Sequence, residues 1–176
     1  MPLIVEDGTG LEAAEAYVDS AFVAQFLGDR GIDWGTEVAN QESALRRATA
    51  YLDGAFTWPG RRARGRSQAL AWPRSGAVDI DGSLLPSGEI PREIRAASAH
   101  LAGMELASPG TLSPTLDTTT RIASEQVGPL RVSYDNPVGS KAGRATLYVV
   151  QDILAPLLGV SDLVAGSPLS GPSDRA

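Results

Sequence analysis

Trp58 and Trp72 bracket a run of arginines, Arg61, Arg62, Arg64 and Arg66, with Arg74 just beyond. Single-strand nucleic-acid sites combine these residue types: guanidinium groups neutralise phosphates while bases stack on flat rings. The same residues also anchor protein–protein contacts, because Trp offers a large rigid surface and Arg a planar fork of donors. A solvated basic loop is the plainest account of the run. Each tryptophan precedes a proline, Pro59 or Pro73, which fixes φ and points to ordered chain. The net charge of −6 opposes wrapping of a polyanion. Together these features favour docking to a protein over binding of nucleic acid, and both over turnover.

The other candidates for chemistry are weaker. Asp79 and Asp81 stand beside Gly82, with Glu89 further on, but a calcium loop needs more oxygen donors at set positions, so a turn is expected. Asp7-Gly8-Thr9-Gly10 has the flavour of a phosphate cradle, yet it lacks the third glycine, the lysine and a strong helix start. His100 is the only histidine and falls on an apolar helical pattern with Ile94, Leu101 and Met104, where a structural role is expected. A general base needs a partner and a pocket, and no Ser–His–Asp set can be argued. The chain has no cysteine, which excludes disulfides, thiolate chemistry and Cys-based zinc sites. The expectation is a protein that is not an enzyme, with no cofactor and no metal.

The elements that position these residues are mainly helical. Hydrophobic residues make up 43% of 176 but aromatics only 6%, so the core must be built from Ala, Leu, Val and Ile. No apolar run approaches the roughly 20 residues of a membrane span, and the start Met1-Pro2-Leu3-Ile4 does not resemble a signal peptide. Residues 2–10 read as an arm or short strand. A first helix is predicted near 19–29, capped by Asp19, with Phe22, Val23, Phe26 and Leu27 on its apolar face and Gly31 after its end. A second is predicted over about 40–53, capped by Asn40 and stopped by Gly54; Leu45, Ala48 and Leu52 recur at helical spacing. Residues 55–89 read as a long ordered loop, which in a compact domain points to function. A third helix is predicted from Pro91, with Ile94, Ala97, Leu101 and Met104 following.

Residues 108–120 read as a Ser/Thr/Pro-rich linker, and 121–134 as a β-hairpin turning at Gly128-Pro129 with Val127, Leu130, Val132 and Tyr134 in its ribbon. A two-stranded ribbon alone is marginal, so it either packs on the helices or extends a neighbour. A fourth helix near 144–158 carries Leu147, Val150, Ile153, Leu154 and Leu157, with Pro156 ending or kinking it. The fold class is therefore mainly α: a small helical bundle with a long ordered loop, a β-hairpin and an extended C-terminal segment. Residues 1–158 are expected to form one domain, and 159–176 a flexible tail.

Several segments, in order, resemble the head–tail connector proteins of long-tailed phages and gene transfer agents, also called adaptor, neck or head-completion proteins. They are Leu3-Ile-Val-Glu-Asp-Gly-Thr-Gly10, Ala44-Leu-Arg-Arg-Ala-Thr-Ala-Tyr-Leu-Asp53, Gln68-Ala-Leu-Ala-Trp-Pro-Arg74, Ile90-Pro-Arg-Glu-Ile94 and Ser124-Glu-Gln-Val-Gly-Pro-Leu-Arg-Val-Ser-Tyr134. A similar set is often labelled DnaT-like, a single-stranded-DNA-binding accessory protein, which is the alternative function. The resemblance implies a ring, commonly of twelve subunits, between the portal protein and a tail-side stopper or tail-terminator protein, with DNA only as a transiting polymer. It implies no catalysis, assembly in the host cytoplasm, and residence in the neck of a virion or gene transfer agent particle. The interface residues expected on this basis are Trp58, Arg61, Arg62, Arg64, Arg66, Trp72, Arg74, Val127, Leu130, Val132 and Tyr134. Leu147, Val150, Ile153, Leu154 and Leu157 are the expected portal contacts.

Overall fold

The computed structural model describes residues 2–113, 124–127, 130–133 and 148–158. Its architecture is mainly α, with helices α1 (Ser20–Gly28), α2 (Val38–Ala55), α3 (Arg92–Ala107) and α4 (Tyr148–Leu154). Strands β1 (Arg61–Arg62) and β2 (Arg74–Ser75) form a short antiparallel ladder, and β3 (Ser124–Val127) pairs with β4 (Leu130–Ser133). In the second ladder Val127 lies opposite Leu130, the register that a two-residue connection at Gly128-Pro129 requires. Tyr134, Leu147 and the segment 159–176 lie outside the described residues, as do most of the 108–120 linker and the proposed start of the fourth helix at 144.

Helix α3 is the hub: α1, α2 and α4 each pack on it. Its buried side chains are small on several sides, including Ala97, Ser98, Ala99, Ala102 and Gly103. Small residues let neighbouring helices approach closely. At Gly103 an added Cβ would fall 2.9 Å from Leu27 Cδ1, so α1 and α3 meet there without room for a methyl group. The core gathers Val23, Leu27, Leu45, Leu52, Ile94 and Leu101 around this hub, with alanines between them.

The first helix starts as its sequence dictates, with Asp19 Oδ1 accepting the Phe22 N–H at 2.7 Å. The apolar set Phe22, Val23, Phe26 and Leu27 divides in two: Val23 and Leu27 are buried, whereas Phe22 and Phe26 are only half-buried. The second helix departs from the expectation at its start. It begins at Val38, with Glu37 in the cap position and no side-chain cap, so Asn40 is a first-turn residue and not the cap. The reason lies upstream. Gln41 reaches back from the helix to the carbonyls of Trp34 (3.3 Å) and Gly35 (2.9 Å), and accepts from Ser20 Oγ at 2.7 Å, which fixes the approach to the helix. Pro91 stands immediately before α3, as expected of a residue without an N–H to donate.

At the far end of α3, Glu105 is fully buried. Its carboxylate accepts the N–H groups of Gly110 (2.7 Å) and Leu112 (3.1 Å) and the Arg47 Nε–H at 2.6 Å. Burial opposes its ionisation, but those two N–H groups and the guanidinium outweigh burial and hold its carboxyl below the ordinary value. The pair ties α2 to α3 and folds the chain after α3 back onto the bundle. Because the folded pKa is depressed, this contribution is complete above the ordinary glutamate value of about 4.3 and is lost as pH falls through the lower folded value. Glu105→Ala leaves the buried Leu112 N–H, the Gly110 N–H and the facing guanidinium unmatched and should cost about 3 kcal/mol in urea unfolding at pH 7. Arg47→Ala, on a half-exposed partner, should cost about 1 kcal/mol. Glu105→Gln should flatten the loss of stability below about pH 4.3.

Candidate interface at the arginine loop

The loop from Phe56 to Pro91 is held in place by polar side chains that bond its backbone. Gln68 is buried; its Nε2 donates to the Leu70 carbonyl (2.8 Å) and the Pro73 carbonyl (3.0 Å), and its Oε1 accepts the Arg64 N–H at 3.1 Å. Arg74 donates to four carbonyls, those of Pro59 (2.6 Å), Gly60 (2.8 Å), Ala71 (3.1 Å) and Trp58 (3.3 Å). Burial, then the charge of Arg62, pulls its pKa down from the ordinary arginine value. Asp53, at the end of α2, accepts from the Tyr17 hydroxyl and from the Ala71 N–H at 2.8 Å, while the Tyr17 oxygen accepts the Trp72 N–H at 3.2 Å. Burial pushes the Asp53 carboxyl up, against the pull of these bonds and of Arg62 and Arg74; burial and the Asp53 charge push the Tyr17 hydroxyl up as well.

This scaffold puts the two tryptophans inside. Trp72 is fully buried and Trp58 is 8% exposed. Their rings meet edge to face at 5.9 Å, and Phe56 joins them at 5.5 Å from Trp58, extending to Tyr51 on α2. Trp58 and Trp72 are therefore corrected from interface anchors to core residues: nearly all of their area is used up within the chain. Arg74 is likewise corrected to an internal clasp, since the carbonyls take its donors. Arg61, Arg62, Arg64 and Arg66 behave otherwise. All four are exposed, on a segment fixed by the β1–β2 ladder and by Gln68, and none makes an ion pair among the described residues.

The portal-contact candidates also divide. Val150, Leu154 and Leu157 are buried in the same core as α3 and are corrected to core residues, whereas Ile153 packs against that core and is only half-buried. Leu147 lies outside the described residues. Tyr148 and Val149 instead are exposed apolar positions of α4, at 75% and 54%. Val127, Leu130 and Val132 take their places in the β3–β4 ladder.

The remaining motifs resolve as structure. Gly8, Gly10 and Leu11 turn their N–H groups onto one carboxylate, that of buried Glu6, at 3.0, 2.8 and 2.9 Å. The apparent phosphate cradle is thus filled by the chain's own anion. Gly8 needs its φ of +98° and its missing side chain, because a Cβ would sit 2.2 Å from the Gly88 carbonyl oxygen. Asp79 closes a turn by accepting from Asp81 N (3.0 Å) and Ser83 N (2.7 Å). His100 is half-buried, and burial followed by the charge of Arg30 lowers its pKa. Among the described residues no group of three or more acidic or histidine side chains could hold a metal ion, and no helix is long and apolar enough to cross a membrane.

A comparison with protein families decides the kinship of the chain. The model of the family described as "Putative DnaT-like ssDNA binding protein" matches residues 1–169. The chain belongs to this family. No curated protein and no solved structure matches it. The family match covers the arginine loop and both ladders, so the loop scaffold described here is set within the shared region.

Sequence reasoning missed one cationic–aromatic cluster. The Arg30 guanidinium carbon lies 3.6 Å from the centre of the Phe26 ring, that of Arg95 lies 4.4 Å from Phe22, and the two rings stack at 6.3 Å. The spacing of Phe22, Phe26 and Arg30 by four was a visible signal; the arrival of Arg95 from α3 was not. The core assignment has a direct test. Trp72→Ala should destabilise the isolated chain by about 4 kcal/mol, and Arg62→Ala by less than about 0.5 kcal/mol, in denaturant unfolding followed by circular dichroism.

Proposed function

We propose that this chain is a structural adaptor, a subunit of a ring joining the portal protein of a phage-like particle to its tail-side stopper or tail-terminator, and that it performs no turnover. On this reading it assembles in the host cytoplasm and ends in the neck of a virion or gene transfer agent particle, with DNA passing through the ring. One observation carries the reading. The tryptophans that could have stacked bases are locked in the core, whereas Arg61, Arg62, Arg64 and Arg66 stand outside on a rigid loop. Guanidinium groups held on a fixed scaffold, without aromatic platforms beside them, suit bidentate contact with carboxylates of a partner surface. A net charge of −6 also suits a channel wall past which DNA must slide.

The second reading, single-stranded-DNA binding, is favoured by the description of the matching family. It assigns the same four arginines to phosphates and forgoes stacking, so its affinity must come from counterion release and fall steeply with salt.

Two measurements separate the readings. Purified chain mixed with portal-bearing heads should co-sediment with them, and reversing Arg62 and Arg64 to Glu should weaken that association at least about tenfold. Fluorescence anisotropy with labelled oligo(dT) at physiological salt should show no saturable binding. Tight, salt-sensitive binding of the oligonucleotide, lost in the same double variant, would establish the second reading and remove the first.

A further inference from the structure

Two surfaces away from the arginine cluster complement each other, one on α1 and α3 and one in the later part of the loop. The first is the row Arg95, Phe22, Phe26, Arg30 along α1 and the facing edge of α3. Both arginines are exposed, and neither has a carboxylate within ion-pair distance among the described residues. Each guanidinium carbon lies over a phenyl face, which costs less ordering on binding than a free side chain would, and leaves N–H donors for an incoming oxygen. Arg30 uses one donor on the Phe26 carbonyl at 2.7 Å.

The second surface is the turn from Val78 to Leu84. Val78 pairs with Leu84 across it, Asp79 bonds its backbone twice, and the Ile80 N–H donates to the Pro156 carbonyl at 2.9 Å, beyond α4. The turn is thereby tied to the chain after α4, whereas the row runs along α1 and the edge of α3 that faces it. It nevertheless exposes three large apolar side chains, Val78 at 43%, Ile80 at 52% and Leu84 at 72%, together with the carboxylate of Asp81. An exposed aliphatic group around a carboxylate is the complement of a phenyl–guanidinium row.

We infer that the Val78–Leu84 turn of one copy of this chain docks on the Arg95–Phe22–Phe26–Arg30 row of a second copy, a head-to-tail contact. The inference rests on the reading of the chain as a ring subunit. Two unlike surfaces on one chain make a heterologous interface, which repeats from copy to copy and closes when the rotation permits. Nucleic acid fits the row less well. Guanidinium groups already occupy a face of each ring, and the carboxylates of Asp19 and Asp29 sit at the two ends of α1, where a polymer charged at every unit meets repulsion that a single aspartate avoids.

The absence of cysteine gives a clean test on the full chain. Gln25→Cys, beside the row, and Ser83→Cys, in the turn, are made separately, mixed and oxidised. The mixed disulfide should form about tenfold faster than that between Ser83→Cys and Ala50→Cys on α2, because docking raises the effective concentration of the thiols. Adding Arg30→Glu to the Gln25→Cys chain should abolish the excess, and Asp81→Lys in the Ser83→Cys chain should restore it. Circular dichroism confirms that each variant is folded. No excess over the control pair, or an excess indifferent to the charge swap, overturns the contact. If the contact fails while the chain still co-sediments with portal-bearing heads, the adaptor reading stands and these surfaces are not its subunit interface. Binding of oligo(dT) that Arg30→Glu removes would assign the row to nucleic acid and also overturn the contact.

Discussion

Burying a long connection imposes one constraint on this molecule: every main-chain N–H and C=O taken from water must find a partner. Helices satisfy that need internally, and sheets satisfy it across strands. The chain from Phe56 to Pro91 has only the two-residue ladder of β1 and β2 as regular structure, with scattered backbone bonds such as Ala69 N–H to the Leu11 carbonyl and Leu85 N–H to the Ala77 carbonyl. Side chains supply much of the rest. Gln68 serves two carbonyls and one N–H, Arg74 four carbonyls, and Asp53 with Tyr17 two N–H groups. Glu6 and Glu105 do the same for the N-terminal arm and for the chain after α3. These residues are polar and buried because the backbone around them would otherwise be unsatisfied, and truncating one exposes the cost of every group it serves.

The same constraint explains why the bundle tolerates so few aromatic residues. Its helices approach through alanine and glycine on α3, as the contact of Gly103 with Leu27 shows. The bulky rings are used where the loop meets the bundle. Tyr51, Phe56, Trp58 and Trp72 form a continuous aromatic contact from α2 into the loop. Aromatic burial and polar clasping thus act on the same segment, one supplying area and the other direction. The product is a loop anchored at many points, on which Arg61, Arg62, Arg64 and Arg66 are displayed.

Much of the fold was legible in the sequence. Asp19 as a cap, Pro91 before α3 and the register across Gly128-Pro129 each follow from local chemistry, and local chemistry is what a sequence displays. Asn40 misled because the start of α2 is set from a distance, by Gln41 holding Trp34 and Gly35. The site was legible in part. The arginines stand out as a cluster in the sequence, but nothing local distinguishes a tryptophan that faces outward from one drawn inward by Tyr17 and Asp53. Those partners are far away in the chain, and the deciding bonds appear only when α2, the arm and the loop come together. The glutamate that fills the Gly8–Leu11 turn shows the opposite case: Glu6 was adjacent, and its role could have been read from the N–H groups that a glycine-rich turn leaves seeking an acceptor.

What the arginines bond to is the strongest internal evidence about how the molecule works. Among the described residues, Arg46, Arg47 and Arg92 are paired with carboxylates, and Arg74 is enclosed by carbonyls. Arg30 and Arg95 rest on rings, and Arg61, Arg62, Arg64 and Arg66 form no ion pair. The chain as a whole is acidic, so carboxylates to neutralise these six are not scarce. Leaving them unmatched forgoes little stability, since exposed ion pairs contribute only about 0–1 kcal/mol each. It keeps two cationic surfaces open on a body that is negative elsewhere. On the adaptor reading, such a pattern would favour a partner that brings acidic groups to those particular places, since complementary charge sets register more than it sets affinity.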